Sequence, residues 1–365
     1  MRYNRHIILS EIGQKGQDKL SKAKVLVIGA GGLGCPVLQY LTAAGIGTIG
    51  IVDFDSVSKS NLQRQILYGT SSLGKNKAEA AKTRLEDLNN EISIIAYPEK
   101  LTHKNAISLF QQYDIIVDGT DNFATRYLVN DASIITKKPL VYAGIYKFEG
   151  QVSVFNFKEG PSYRCLFPNP PKEDTIPNCS EVGVLGVLPG IIGTLQANEV
   201  LKIILGIGEV LSGKVLYYNT LTNQTTIIKV NRSEVEIQKV KNSEAIFETL
   251  IADDNCEISV KEISIKDALH TCAELVSVKK NIQLIDVREK NENPKIEGDI
   301  IIHIPLNKLE NRIAELNSEK EIIFFCQAGI KSKKATSIIK NSLSLREGAF
   351  EIEKYLKENT LCEPL

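Results

Sequence analysis

The sequence predicts an α/β protein: a mostly parallel, doubly wound sheet with an antiparallel extension, then a second, smaller α/β unit. Three observations carry this. Apolar runs alternate with helical patterns up to about residue 144, strand follows strand after Gly150, and alternation resumes past residue 257. A length of 365 residues suits two domains, three at most.

The elements follow in order. KVLVIG (24–29), TIGIVD (48–53), EISIIAY (91–97), YDIIVDG (113–119) and KPLVYAG (138–144) read as strands, buried on both faces. LGCPVLQYLTAAGI and NKAEAAKTRLEDLN between them read as helices, the second with Lys82 four residues before Glu86. QVSVFNF, KVLYYNT and TTIIKV read as antiparallel strands around an apolar helical region. Residues 233–256 are charged and weakly periodic, which predicts a linker, with at most one helix, between domains at 1–232 and 257–365. In the second domain a helix starts at Ser264, and IQLIDVRE, DIIIHIPL and KEIIFFCQ read as strands.

Composition excludes several classes. The formal net charge is zero, so no basic field points to nucleic acid or an acidic membrane. The stretch 182–205 is apolar but carries Gln196, Asn198, Glu199 and Lys202, too polar for a membrane span. The N-terminus lacks a secretory pattern, so a cytoplasmic location is expected. Seven cysteines, scattered and odd in number, form no disulfide framework. His103, His270 and His303 have no partner spacing and receive no role.

G-A-G-G-L-G (29–34) follows a strand and opens a helix. Gly29 permits the tight turn, Gly31 lets backbone approach a phosphate, and Gly34 lets helix and strand pack closely. Asp53 ends the next strand, where a carboxylate can bond ribose hydroxyls. The pattern alone fits a nicotinamide enzyme as well as an ATP enzyme. DFDSVSKSNLQRQ (53–65) then supplies Asn61, Arg64 and Gln65, GKNKAEAA supplies Lys77, and DGTDN (118–122) supplies Asp121. A hydride site does not need an Arg, a Lys and an Asp at the phosphate end, whereas a triphosphate does.

These motifs, in this order, resemble the MoeB/ThiF family of ubiquitin-activating-type adenylyltransferases over about residues 1–230. The resemblance implies a Rossmann-like sheet and ATP-dependent adenylation of the C-terminal Gly-Gly of a ubiquitin-like sulfur carrier. It implies that Gly32, Asp53 and the stretch Ser60, Asn61, Leu62, Gln63, Arg64 hold the nucleotide. Arg64 and Lys77 would contact the phosphates, Asp121 would hold magnesium, and Asn122 would lie beside the adenylate. RYNRHI matches the family's arginine-finger segment, implying that Arg5 enters the partner's site in a homodimer.

One departure concerns zinc. Many members bind it with two C-x-x-C pairs, but here Ser162 stands at the first position, only Cys165 remains, and no second pair follows β-strand TTIIKV. A tetrahedral site wants four ligands, so no zinc is expected. Cys179, in IPNCSEVGVLGVLPG, matches the family's loop cysteine. The resemblance gives it a thioester to the carrier or the resolution of a persulfide adduct.

LIDVRE (284–289), IEGDIIIHIPL (296–306) and IIFFCQAGIKSKKA resemble a rhodanese-type sulfurtransferase domain over about residues 257–356. Independently, Cys326 follows a strand and precedes a tight loop, Gln327 to Ser332, and a helix. Loop N–H groups and a helix N-terminus both favour a thiolate or persulfide there. A phosphatase loop would end in arginine, and this one holds none. Lys331 stands where many relatives carry arginine. Asp286 and Arg288 are expected to pair within the domain.

The expectation is an enzyme that adenylates a carrier and passes sulfur from a Cys326 persulfide to give a thiocarboxylate. The persulfide donor would be a cysteine desulfurase or thiosulfate. The alternatives are thioester transfer through Cys179, or an ATP-holding scaffold with a degenerate sulfur domain.

Overall fold

A computed structural model describes residues 2–170, 183–250, 261–270, 282–298, 300–317, 319–327, 329–339 and 341–359. The chain forms two compact units, residues 1–253 and 254–365.

In the first unit, eight strands lie in the order β3-β2-β1-β4-β5-β6-β7-β8. They are β1 Lys24–Ile28, β2 Thr48–Val52, β3 Ser93–Tyr97, β4 Ile115–Asp118, β5 Leu140–Tyr146, β6 Glu149–Phe155, β7 Lys214–Asn219 and β8 Gln224–Lys229. The pairs from β3 to β5 are parallel and those from β5 to β8 antiparallel. Val25 and Val27 face one buried layer and Leu26 and Ile28 the other, which is why β1 reads as an unbroken apolar run.

The first helices are α1 Asn4–Ile7, α2 Gly13–Lys22, α3 Gly34–Ala44, α4 Lys77–Leu88, α5 His103–Gln111, α6 Phe123–Ile135, α7 Tyr163–Leu166 and α8 Val187–Leu205. Helix α8 is long and apolar enough to cross a membrane. It instead packs against α3, β5 and β6. Its buried Gln196 donates to the carbonyls of Asp118 (2.8 Å) and Val141 (3.2 Å), and its Glu199 accepts from the Leu211 N–H at 2.9 Å. Two of the polar residues that argued against a membrane span, Gln196 and Glu199, thus tie the helix into the core.

Most of the expected linker is folded. Helix α9, Glu234–Asn242, is capped by Ser233 and buries Ile237 and Val240 against Ile134 of α6. A 3-10 turn, Glu244–Thr249, then buries Phe247 edge-on to His103, with ring centroids 4.7 Å apart. The apolar positions are few and one acid, Glu236, is buried beside them, so weak periodicity concealed a packed segment. Cys165 is anchored beside it. The Cys165 Sγ accepts from the N–H groups of Ser162 (3.3 Å) and Ser233 (3.2 Å).

The second unit is a parallel sheet in the order β11-β10-β12-β13-β9. Its strands are β9 Glu262–Ile263, β10 Ile282–Asp286, β11 Ile301–His303, β12 Glu321–Phe325 and β13 Leu343–Leu345. Helices α10 Ile265–His270, α11 Leu306–Arg312, α12 Ile330–Ile338 and α13 Ala349–Asn359 accompany it. Ser264 caps α10, its Oγ accepting from the Asp267 N–H at 3.0 Å.

Candidate active sites

The glycine turn joins β1 to α3. Gly29 lies at φ +90°, and a Cβ on Gly34 would fall 2.0 Å from the Gly29 carbonyl oxygen, so both positions require glycine. Asp53 braces the turn. Its two oxygens accept from the N–H groups of Ala30 (2.8 Å) and Asp55 (2.9 Å). Burial pushes the Asp53 carboxyl above its ordinary range, and Lys77 opposes that shift. Cys35 beside the turn is buried, which raises its thiol to about 12 and makes it a poor nucleophile.

The stretch after β2 brings its polar groups back to this turn. Ser58 and Asn61 cap each other around a 3-10 turn, Lys59–Asn61. Arg64 is half-buried and donates to the Ser60 carbonyl at 3.0 Å. Its Cδ lies 3.7 Å from where a Gly32 Cβ would stand. Gln65 Nε2 lies 3.7 Å from the corresponding point on Gly31, while its buried Oε1 has no hydrogen-bond partner among the described residues. An orphaned acceptor at a phosphate-type turn suits a ligand hydroxyl. Lys77 opens α4 behind the Asn76 cap. It is 7% exposed and donates to Asp55 at 2.9 Å. The Asp55 side chain is exposed, so a phosphate can take over Lys77 without stranding a buried charge.

At the end of β4, Asp118 accepts from the Thr120 N–H (2.9 Å) and hydroxyl (2.6 Å). This holds the turn that presents Asp121, which is exposed. Asn122, not Asp121, caps α6, accepting from the Thr125 N–H at 2.8 Å. The structure therefore gathers Gly29, Gly31, Gly32, Gly34, Asp53, the 60–65 stretch, Lys77, Asp121 and Asn122 at the carboxyl ends of β1, β2 and β4. That is the switch point where such sheets bind ligands. Arg5 is not brought there within its own chain. Tyr3 beside it contacts Gly45 and Asn89 at the far end of α3, about 16 Å of helix away. Cys179 lies outside the described residues.

Sequence reading missed Arg126. Its guanidinium is buried under the Asp121 turn and donates to the Thr120 carbonyl at 3.1 Å, and its Nε lacks a partner among the described residues. It borders a cleft of about 300 Å³ lined by Phe123, Tyr127, Tyr163, Phe167 and Tyr217, with the equally orphaned Oε1 of Gln151. The available signal was an arginine one turn into a helix directly after the DGTDN strand end.

In the second unit Cys326 follows β12 and is 2% exposed. The loop is shorter than expected, because α12 already starts at Ile330. Gly329 caps that helix at φ +81°. Cys326 Sγ accepts from the Ser332 N–H at 3.4 Å and lies 3.6 Å from the Ser332 hydroxyl, to which Ser344 donates at 2.8 Å. Arg288 and Asp286 form the expected buried pair, and Arg288 also donates to Gln327 at 3.2 Å. His303 Nε2, unassigned from sequence, lies 2.9 Å from the Arg288 carbonyl. Asp286→Ala would leave the guanidinium uncompensated, an expected loss of about 3–5 kcal/mol in this unit. Mass-mapped alkylation of Cys326 along a urea series checks this, with exposure expected at markedly lower urea.

Residues 3–239 match the ThiF family, and residues 271–357 match the rhodanese-like domain. The chain belongs to the ThiF family. It is similar to the Xenopus laevis protein "Adenylyltransferase and sulfurtransferase MOCS3", 41% identical over 369 residues, covering 93% of this chain and 81% of the relative. It is also similar to the Thermus thermophilus "Sulfur carrier protein adenylyltransferase", 50% identical over 237 residues, covering 64% of this chain and 88% of the relative. Among solved structures it resembles E. coli MccB with ATP, at a TM-score of 0.57 and 27% identity, covering 64% of this chain and 73% of that one. This ThiF-family chain is thus an enzyme that carries an adenylyltransferase unit and a rhodanese-like unit.

Proposed function

We propose that this ThiF-family enzyme adenylates the C-terminal glycine of a ubiquitin-like sulfur carrier and then converts that carboxylate to a thiocarboxylate with sulfur held on Cys326. The observation that carries the first half is the convergence of Arg64, Lys77 and the orphaned Gln65 on the glycine turn. A glycine carboxylate is a weak electrophile. Its oxygen attacks the α-phosphorus of ATP, the bond to the bridging oxygen breaks, and pyrophosphate leaves. Arg64 and Lys77 offset charge building on the phosphates, and Asp53 and Gln65 hold the ribose side. No cluster of three or more His, Cys, Asp or Glu converges among the described residues. That suits magnesium held by the single carboxylate Asp121 together with substrate phosphates. When bound, the ion supplies further charge neutralisation.

The aromatic cleft at Arg126 suits the carrier's extended C-terminal segment. It opens beside the Asp121 turn and offers an unpaired donor and acceptor to a peptide backbone. The reading includes a homodimer in which Arg5 completes the partner's site. Arg5 is exposed, and near it Ile8 and Leu9 expose 61% and 48% of their surface. It includes no structural zinc, since Ser162 stands in place of the first cysteine and Cys165 alone does not make a four-ligand site.

In the second step the outer sulfur of a Cys326 persulfide attacks the acyl carbon and AMP leaves, giving a carrier–CO–S–S–Cys326 adduct. A second thiol opens that S–S bond and releases the thiocarboxylate. Cys179 is the candidate, and a thiol reductant then restores the resulting disulfide, as suits a reducing cytoplasm. The test is carrier-dependent exchange of pyrophosphate into ATP. Exchange is expected with a carrier ending in Gly-Gly and is expected to vanish when its last glycine is removed. Equal exchange without carrier, or none with any carrier from the same cell, contradicts the reading.

A further inference from the structure

The cations beside Cys326 are already engaged. Lys331, the single cationic side chain between Cys326 and Ser332, donates to Glu292 Oε1 at 2.7 Å. Both side chains are about one-third exposed, at 32% and 28%. Arg288 is buried and holds Asp286 through two nitrogens, at 2.8 and 2.7 Å. Lys333 pairs with Glu262 at 2.8 Å. The groups that do face the sulfur, the Ser332 N–H and hydroxyl, are neutral, and the Ser344 hydroxyl behind them donates to Ser332. Such a site can hydrogen-bond one sulfur atom, but the three cations just named are already paired and none is left for a dianion.

We propose that Glu292 determines the sulfur donor: by occupying Lys331 it disfavours dianionic thiosulfate and leaves Cys326 to persulfides. This rests on Cys326 being the sulfur-carrying residue. In the favoured reaction the Cys326 thiolate attacks the outer sulfur of a donor R–S–SH. The donor S–S bond breaks, R–S⁻ leaves, and Cys326–S–SH forms, with no net oxidation. Thiosulfate could react likewise with loss of sulfite, but it must bring two negative charges to a loop whose cation is taken. Glu292 binds nothing in this scheme. It acts through Lys331 as a specificity-determining residue.

Sulfur transfer to cyanide by the full chain tests this, with thiosulfate and glutathione persulfide as donors. Glu292→Gln keeps the acceptor oxygen for the Glu289 N–H, now at 2.8 Å, and removes the charge. It is expected to lower KM for thiosulfate by roughly fivefold, kcat nearly unchanged, because a part-exposed pair is worth about 1 kcal/mol. Turnover with glutathione persulfide is expected to change less than about twofold, since the nucleophile is untouched. Lys331→Gln alone leaves the Glu292 carboxylate unpaired and is expected to raise thiosulfate KM by up to about fivefold, and in the Glu292→Gln background to cancel the gain. An unchanged thiosulfate KM in Glu292→Gln overturns the proposal. So does an equal loss with both donors, which marks a structural role, or a gain in Glu292→Gln that survives the further change Lys331→Gln. Cys326→Ala separates the underlying reading: turnover surviving that change removes Cys326 as the carrier of sulfur, whatever Glu292 does.

Discussion

Cys326→Ala abolishes thiocarboxylate formation on the carrier while leaving pyrophosphate exchange within about twofold of the parent chain; this is the expected result of a strict division of labour. Loss of a covalent nucleophile typically costs roughly three orders of magnitude or more. The fold should tolerate the change. Cys326 makes only sulfur hydrogen bonds to Ser332, and alanine leaves a small gap beside Phe324 and Ala335. Exchange measures only the first reaction, which uses the glycine turn, Arg64 and Lys77, all in the other unit. If exchange falls with the sulfur step, the two units do not divide the chemistry as argued.

The second large effect is expected at the phosphate cations. Arg64→Ala or Lys77→Ala should each lower carrier-dependent exchange by about 10²–10³, the usual cost of removing one pre-positioned charge. The loss should lie chiefly in kcat, because the charge they answer is greatest in transfer. Neither change should unfold the unit. Among the described residues Arg64 donates to a backbone carbonyl, and removing Lys77 frees the exposed Asp55, while the buried Asp53 that loses a favourable charge keeps its two N–H donors. Cooperative unfolding in urea checks this. A variant with parent exchange rates would remove that residue from the site.

Much of this could be read from residues alone, for particular reasons. The parallel strands are buried on both faces, so Val25–Ile28 and Ile115–Val117 appear as short uninterrupted apolar runs. The turn glycines announce themselves because no other residue fits at Gly29 or Gly34. The cations follow in short, fixed spacing after strand ends. What escaped was set by contacts distant in sequence. Arg126 becomes a site residue only once Thr120 and Tyr142 surround it. Glu292 sits in a charged loop without periodicity, and its partner Lys331 lies 39 residues on. The segment 234–249 read as a linker with one possible helix because few side chains hold it, the apolar Ile237, Val240 and Phe247 beside a buried Glu236. Cys165 looked like the remnant of a lost site, and its hydrogen bonds to Ser162 and Ser233 became visible only in three dimensions.

The central claim is that one chain makes the acyl-adenylate and supplies the sulfur that opens it. The most direct measurement is the intact mass of a Gly-Gly carrier after incubation with the full chain, ATP, a persulfide donor and a thiol reductant. The account predicts replacement of one carrier oxygen by sulfur that requires ATP and donor together and disappears in both Arg64→Ala and Cys326→Ala. Sulfur gained without ATP, or gained undiminished by the Cys326→Ala chain, would contradict it.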